Sequence, residues 1–95
     1  MLKYRVDFSD DFEYDFRKLS SEYKKITLRK IARLEQNPWH PSLRTQKLKG
    51  HIGLYESSVN MSIRIIWEFD DDLSGDCRII ITRLEVGRHD ILKRY

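Results

Sequence analysis

The sequence contains a single cysteine, Cys77, so no internal disulfide can form. It has no CxxC pair and no spacing of cysteine and histidine that is typical of a zinc site. Free cysteine without a disulfide framework suits a reducing compartment, and we expect the protein to act in the cytoplasm.

Long apolar runs are absent as well. No segment approaches the roughly 20 apolar residues of a membrane-spanning helix. The N-terminus alternates polar and apolar residues, where a secretory signal would carry an apolar stretch. Because 95 residues leave room for one small fold, we expect a single domain over 1–95 with no membrane association.

Glycine is scarce, and the four glycines form no P-loop, no GxGxxG and no GxSxG motif. Nucleotide-dependent chemistry and serine-hydrolase chemistry therefore have no support in the sequence. Eleven aromatic residues within a chain that is 40% hydrophobic argue against intrinsic disorder.

Net charge is small, at +3, but it is unevenly distributed along the chain. Residues 17–51 carry ten Lys or Arg and two Glu, a local charge of +8, whereas residues 52–82 carry −4. A basic block of this kind suits a polyanionic partner such as nucleic acid, or an acidic protein. From charge alone, a solvated helix face explains it equally well.

Hydrophobic periodicity predicts the element order βααβββ. Residues 2–8 alternate as a half-buried strand does, and two helical segments follow. The second helix ends at Asn37-Pro38, because the residue before a proline avoids helical geometry. After a long basic loop over 37–53, strands are predicted over 54–59, 63–69 and 77–86. This order indicates an α+β domain, with a helical hairpin packed on a mainly antiparallel four-stranded sheet.

Each predicted helix has a cap and an apolar side. Ser9 or Asp10 can cap the first helix, and Ser20 and Ser21 precede the second. The buried stripe of the first helix is Phe12, Phe16 and Leu19. The apolar side of the second carries Tyr23, Ile26, Ile31 and Leu34, with Leu28 at its edge. Its basic side carries Lys25, Arg29 and Arg33.

The residues that could carry chemistry are basic or aromatic. Arg64 lies inside an apolar strand, which is uncommon unless its face is exposed or it binds an anion. An arginine that simply lies on an open sheet face beside Glu68 is as consistent with the sequence as an anion-binding arginine. His89 titrates near neutrality, although a histidine in a tail is more often a surface residue. Tyr95 ends the chain, as a stacking platform or a frayed end. Trp67 is expected in the core, with Trp39 anchoring the loop.

Several short motifs together resemble the RelE/ParE superfamily of bacterial toxins from type II toxin-antitoxin systems. They are Asn37-Pro38, Lys47-Leu48-Lys49-Gly50, Tyr55-Glu56, Ile63-Arg64-Ile65-Ile66, and the tail from Val86-Gly87-Arg88-His89-Asp90 to Tyr95. The resemblance runs the whole chain. It depends on the order and spacing of the motifs, since each one alone is weakly specific.

The resemblance implies a ribosome-dependent endoribonuclease that cuts mRNA and needs no metal or other cofactor. Arg64 would clamp the scissile phosphate, His89 would be the general acid or base, and Tyr95 would stack on or orient the substrate. The residues implied to hold RNA phosphates are Lys47, Lys49, Lys25, Arg29, Arg33 and Arg88.

Glu56 departs from the family pattern, because some relatives place Lys or Arg in the strand over 54–59. The carboxylate can replace a basic group as proton acceptor, dividing the work with His89. It can equally be a structural carboxylate paired with Arg64, and we slightly favour this second interpretation.

The resemblance also implies partners, namely a cognate antitoxin, the ribosome with its mRNA, and operator DNA reached only through the antitoxin. Relatives with the same fold poison DNA gyrase without cutting RNA, and a catalytically weak toxin would serve mainly as an antitoxin-binding corepressor. The tail histidine and tyrosine alongside a strand arginine favour the nuclease, because phosphodiester cleavage uses all three.

Overall fold

The computed structural model of the protein describes residues 3–70 and 77–86. In chain order the elements are β1 (Lys3–Phe8), α1 (Asp10–Arg17), α2 (Ser21–Gln36), a 3₁₀ turn (Pro41–Leu43), β2 (Gln46–Lys47), β3 (Tyr55–Ser58), β4 (Ile63–Phe69) and β5 (Cys77–Val86). Within these two ranges, no helix has the length and apolar character needed to span a membrane.

Serine side chains cap both helices. Ser9 Oγ accepts a hydrogen bond from the backbone N–H of Phe12 at 3.0 Å, and Ser20 Oγ accepts one from Tyr23 at 3.2 Å. These bonds satisfy backbone donors that the first helical turn leaves free. At the other end of α2, Asn37 is extended with φ −159°, as expected for a residue before proline. The predicted limits of the hairpin are confirmed.

The sheet has the strand order β1-β5-β4-β3-β2. β1 runs parallel to β5, and the other neighbouring pairs are antiparallel. Helix α1 packs against β5, and α2 packs against β1. The expected α+β class, with a helical hairpin on a mainly antiparallel sheet, is confirmed.

The described sheet has five strands, so the prediction of four is wrong. Gln46 and Lys47, which lie within the predicted long loop, pair with Glu56 and Tyr55. Two residues are too few for hydrophobic alternation to be visible, so this strand is specified by its partner rather than by its own pattern. Gly50 and Gly53 lie in the connection to β3 with φ of 84° and 82°. Glycine adopts this left-handed region without steric cost.

The central strand β4 supplies the largest part of the core. Ile63, Ile65 and Trp67 point to the helix side of the sheet, and each is at most 1% exposed. They form one cluster with helix residues including Phe12 and Leu34. The predicted core position of Trp67 is confirmed.

The buried side of α2 differs from the predicted stripe at two positions. Ile31 and Leu34 are buried as predicted, but Tyr23 is 37% exposed and Thr27 is fully buried. A search for apolar periodicity overlooks threonine, although its methyl group packs like that of valine. Within residues 3–70 and 77–86, the Thr27 hydroxyl has no hydrogen-bond partner. Tyr23 lies in the first turn of the helix.

Side chains also connect the loop over 37–53 to the sheet. Trp67 Nε1–H donates to Ser57 Oγ at 2.8 Å, and Ser57 Oγ lies 2.7 Å from Thr45 Oγ1. Thr45 Oγ1 also donates to the backbone carbonyl of Pro38 at 2.7 Å. Trp39 packs edge-on against the ring of Tyr55 at 5.3 Å between centroids. The loop is therefore attached to the core by a chain of hydrogen bonds and by aromatic packing, and Trp39 anchors it as predicted.

We expect Ser57→Ala to lower the free energy of unfolding by about 1–3 kcal/mol, because it leaves the buried indole N–H of Trp67 without an acceptor. Ser58→Ala is the matched control, since Ser58 is half-buried and its hydroxyl makes only a 3.4 Å contact with Asn60. Its effect should stay below about 0.5 kcal/mol. Urea denaturation followed by tryptophan fluorescence measures both, and equal effects would contradict this assignment.

Candidate functional site

Arg64 lies near the middle of the sheet on the face away from the helices. Its neighbours Ile63 and Ile65 are fully buried on the opposite face, and its own side chain is 48% exposed. Because successive strand residues point to opposite faces, packing of the two isoleucines directs the guanidinium outward. We call the part of this face around Arg64 the open face, since Ile66 and Ile79 on the same side of the sheet are buried.

Two carboxylates on neighbouring strands hold the guanidinium. Arg64 Nη1 donates to Glu56 Oε2 of β3 at 3.1 Å, and Nη2 donates to Glu85 Oε1 of β5 at 2.9 Å. Glu85 is directly opposite Arg64 in the register, whereas Glu56 is opposite Ile66. The planar guanidinium thus bridges three strands and has a defined orientation.

Glu56 is the buried member of this group, with a relative exposure of 8%. Its second oxygen, Oε1, accepts a hydrogen bond from the side-chain amide of Gln46 on β2. Both carboxylate oxygens therefore have donors, as a buried carboxylate requires. This arrangement agrees with the interpretation of Glu56 as a structural partner of Arg64. Gln46 was not predicted as a site residue, and a glutamine in a basic loop gives no signal in sequence.

The sequence alternative for Arg64, an exposed position on the sheet face beside Glu68, agrees with its 48% exposure but brings no ion pair with Glu68. Four residues along a strand correspond to about 13 Å, which is too far for an ion pair. The carboxylates that do pair with Arg64 lie across the sheet, and cross-strand register is not visible in the sequence.

A cleft of about 530 Å³ opens beside Arg64 where β3 turns into β4. Its lining residues are Lys30, Ser42, Arg44, Ser58, Val59, Asn60, Met61, Ser62 and Arg64. Three of these are cations and none is an acid. Lys30 comes from α2 and Arg44 follows the 3₁₀ turn. Sequence reasoning missed both, because nothing local distinguishes them from other cations of the +8 block.

The basic residues predicted to hold RNA lie on separate parts of the surface. Lys25, Arg29 and Arg33 are exposed on α2, and none of them lines the cleft. Lys47 is opposite Tyr55 in the register, which places it on the face away from Arg64. Lys49 is exposed in the turn before β3.

Three residues of the predicted site, Arg88, His89 and Tyr95, lie outside the described residues. Of the predicted catalytic set, Arg64 and Glu56 are therefore the two whose placement is known, and they are in direct contact. In residues 3–70 and 77–86, no group of three or more His, Cys, Asp or Glu side chains is arranged to hold a metal ion.

A second surface feature lies on the helix side of the sheet. A groove of about 390 Å³ is lined by Phe8, Phe12, Glu13, Phe16, Arg17 and Leu28. Phe8 is 44% exposed and Leu28 is 50% exposed. Exposed apolar side chains that share one groove are typical of a protein-binding surface.

Comparison with solved structures finds the same architecture in bacterial and archaeal toxins. A YoeB/ParE toxin from Agrobacterium tumefaciens superposes with a TM-score of 0.69 at 10% identity, covering 86% of this chain and 97% of the toxin. The RelE-RelB complex from Pyrococcus horikoshii gives 0.66 at 19% identity, covering 90% and 96%. The intact Escherichia coli RelBE toxin-antitoxin complex gives 0.62 at 20% identity, covering 87% and 95%.

The chain has the RelE/ParE toxin fold. No protein-family profile and no curated protein matches the sequence. The fold implied by the sequence motifs is thus confirmed by structure, at identities too low to carry residue roles across.

We expect two double-mutant cycles to show that the Arg64–Glu56 ion pair contributes more to stability than the Arg64–Glu85 ion pair. Arg64→Ala should lower the free energy of unfolding by about 1–2 kcal/mol, because it leaves the buried Glu56 carboxylate without a cation. That figure is reduced for the solvent exposure of the guanidinium. The coupling energy should be about 1 kcal/mol for Arg64 with Glu56 and below about 0.5 kcal/mol for Arg64 with the half-exposed Glu85. Urea denaturation of the four variants in each cycle measures both, and a larger coupling with Glu85 would contradict the proposed order.

Proposed function

We propose that this protein is the toxin of a type II toxin-antitoxin system and an endoribonuclease that cuts mRNA on the ribosome. The observation that carries the proposal is the half-exposed Arg64 guanidinium on the open face of a RelE/ParE fold, next to a cleft with two further cations. A cation fixed on a rigid strand is suited to an RNA phosphate. The proposed place of action is the cytoplasm, where ribosomes and mRNA are found.

The proposed reaction is an attack of the ribose 2′-oxygen on the adjacent phosphorus. A base removes the 2′-hydroxyl proton, the bond from phosphorus to the 5′-oxygen breaks, and an acid protonates that oxygen. The products are a 2′,3′-cyclic phosphate and a 5′-hydroxyl. Arg64 stabilises the negative charge that develops on the phosphate. His89 serves as acid or base and Tyr95 stacks on a base of the substrate, as the family resemblance implies.

Within this proposal Glu56 is a positioning residue for Arg64. Both of its oxygens are already engaged, one by Arg64 and the other by Gln46. A carboxylate that is nearly buried and fully hydrogen-bonded is less available to take a substrate proton than to orient the guanidinium. Lys25, Arg29, Arg33, Lys47, Lys49 and Arg88 give the ribosome-bound protein a wider phosphate-contacting surface.

Induction of the chain alone should produce mRNA ends at ribosome-protected positions. Arg64→Ala and His89→Ala should each reduce these ends by about 100-fold, because each removes one contribution to transition-state stabilisation or proton transfer. Arg64→Lys should recover little, since an ammonium cannot reproduce the oriented guanidinium. Lys18→Ala, an exposed cation at the end of α1, is the control and should cut like the wild type. The measurement is sequencing of mRNA 5′ ends from ribosomes.

A different result would show the other activity associated with this fold. Growth arrest with intact mRNA and accumulating gyrase-DNA cleavage complexes would contradict the nuclease and support gyrase poisoning. The absence of arrest and of RNA ends would leave a protein whose role is to bind its antitoxin as a corepressor on operator DNA.

We also infer that an antitoxin occupies the groove lined by Phe8, Phe12, Phe16 and Leu28. Similar solved structures are complexes of a toxin with its antitoxin, including RelBE2 from Mycobacterium tuberculosis and DinJ-YafQ from Escherichia coli. The Phe8 and Phe12 rings are tilted with centroids 4.6 Å apart, and Phe12 stacks on Phe16 at 5.7 Å, so the rings give the groove an apolar floor. It is suited to the apolar side of an antitoxin segment whose acidic residues meet the basic block.

Leu28→Asp should weaken binding of the product of the neighbouring antitoxin reading frame by at least tenfold, because it places a charge in an apolar contact. Ile52→Asp is the matched control, since Ile52 is fully exposed and outside the groove. Co-purification followed by calorimetric titration provides the measurement. Equal affinities for the two variants would place the antitoxin elsewhere.

A further inference from the structure

The cleft beside Arg64 contains two cations that take no part in the ion pairs of the open face. Arg64 shares its charge with Glu56 and Glu85, whereas Lys30 and Arg44 form no ion pair with any residue in 3–70 or 77–86. The Lys30 ammonium donates to the backbone carbonyl of Ser42 at 3.2 Å, which holds it without neutralising it. Among the residues that the structure describes, the cleft therefore has two cations without an acidic partner next to the arginine.

Arg44 also has an unusual backbone conformation. Its φ and ψ are 50° and 42°, in the left-handed region, and among the described residues it is the only one besides glycine with positive φ. Glycine would adopt this conformation without steric cost, so an arginine here is less favourable for folding than the alternative. Strained positions of this kind concentrate at ligand-binding sites, where the side chain has a use that offsets the strain.

Apart from Val59 and Met61, the remaining lining is polar and suited to a phosphodiester. Ser42, Ser58 and Asn60 come from the 3₁₀ turn, β3 and the turn after it. Hydroxyl and amide groups can supply hydrogen bonds to phosphate oxygens, while the cations supply the charge. A volume of about 530 Å³ is within the range of sites that hold ligands the size of a nucleotide.

We propose that this cleft binds a backbone phosphate of single-stranded RNA next to the phosphate held by Arg64, with Lys30 and Arg44 as its cationic ligands. The inference rests on the proposed function, because it takes RNA as the substrate. It extends that function by defining a subsite whose role is to hold the strand and not to take part in cleavage. The cationic lining selects a polyanionic strand. No lining side chain is placed as a catalytic acid or base, so the subsite binds without cutting.

The test measures binding separately from cleavage. A fluorescent single-stranded RNA in which every 2′-hydroxyl is methylated has no nucleophile, so the purified protein can bind it but cannot cut it. Fluorescence anisotropy at several salt concentrations gives both the dissociation constant and its salt dependence.

Lys30→Ala and Arg44→Gly should each weaken binding about tenfold, as expected for the loss of a charge-assisted contact. Each should also reduce the slope of log affinity against log salt by about 0.7, the contribution of one phosphate contact to a single strand. Arg44→Lys should keep the slope. Lys18→Ala removes one exposed charge outside the cleft and should leave the slope unchanged.

Arg44→Gly also separates binding from folding. Because glycine relieves the left-handed strain, the urea midpoint of this variant should equal or exceed that of the wild type while its affinity falls. Wild-type affinity in both Lys30→Ala and Arg44→Gly would overturn the proposal. The proposal would also be overturned if these two variants lost affinity for an acidic antitoxin segment while RNA binding stayed intact. The cleft would then be a protein-binding site.

If the nuclease assignment is wrong and the phosphate subsite is correct, the two assays give different results. In that case the wild type produces no mRNA ends on ribosomes, yet Lys30→Ala and Arg44→Gly still weaken binding of the methylated RNA.

Discussion

The placement of one guanidinium between two carboxylates organises the open face of this fold. Arg64 lies on the central strand β4, and Glu56 and Glu85 reach it from the strands on either side. Its direction is set by the core, because Ile63 and Ile65 are fully buried on the other face. The same strand therefore stabilises the domain on one side and presents Arg64 on the other.

The two carboxylates orient Arg64 but also limit what it can attract. The three side chains together carry a formal charge of −1, so Arg64 with its partners does not form a strongly positive site. Two of the five guanidinium N–H groups point to carboxylates, and the remaining donors can reach an incoming phosphate. A polyanion approaching this face needs positive charge from outside the triad, and Lys30 and Arg44 of the adjoining cleft are two cations that can supply it. Orientation by Glu56 and attraction by the cleft are thus separate physical roles on one surface.

The sequence was informative wherever a regular pattern was long enough to read. Alternation over β4, the serine caps of both helices and the Asn37-Pro38 stop led to the correct class and to every element except β2 and the 3₁₀ turn. The pattern failed where structure depends on distant partners. The two residues of β2 have no period of their own, and Thr27 is buried although it is polar by type.

The candidate site was predictable to a smaller extent. Arg64 was recognisable as a cation inside an apolar strand, and its pairing with Glu56 was one of two readings of the same residue. The pairing with Glu85 depends on strand register, and the cleft depends on how α2 meets the turn after Val59. No local signal marks Lys30 or Arg44, since the strain at Arg44 is a property of the folded backbone.

The central claim, that the open face cleaves RNA by 2′-hydroxyl attack, is tested most directly by the chemistry of the cut ends. Purified wild-type protein is added to ribosomes carrying a defined mRNA, and the termini of the fragments are identified enzymatically. Ends that carry a 2′,3′-cyclic phosphate and a 5′-hydroxyl, absent with Arg64→Ala, are the predicted result. Intact mRNA, or fragments with 5′-phosphate and 3′-hydroxyl ends, would contradict it.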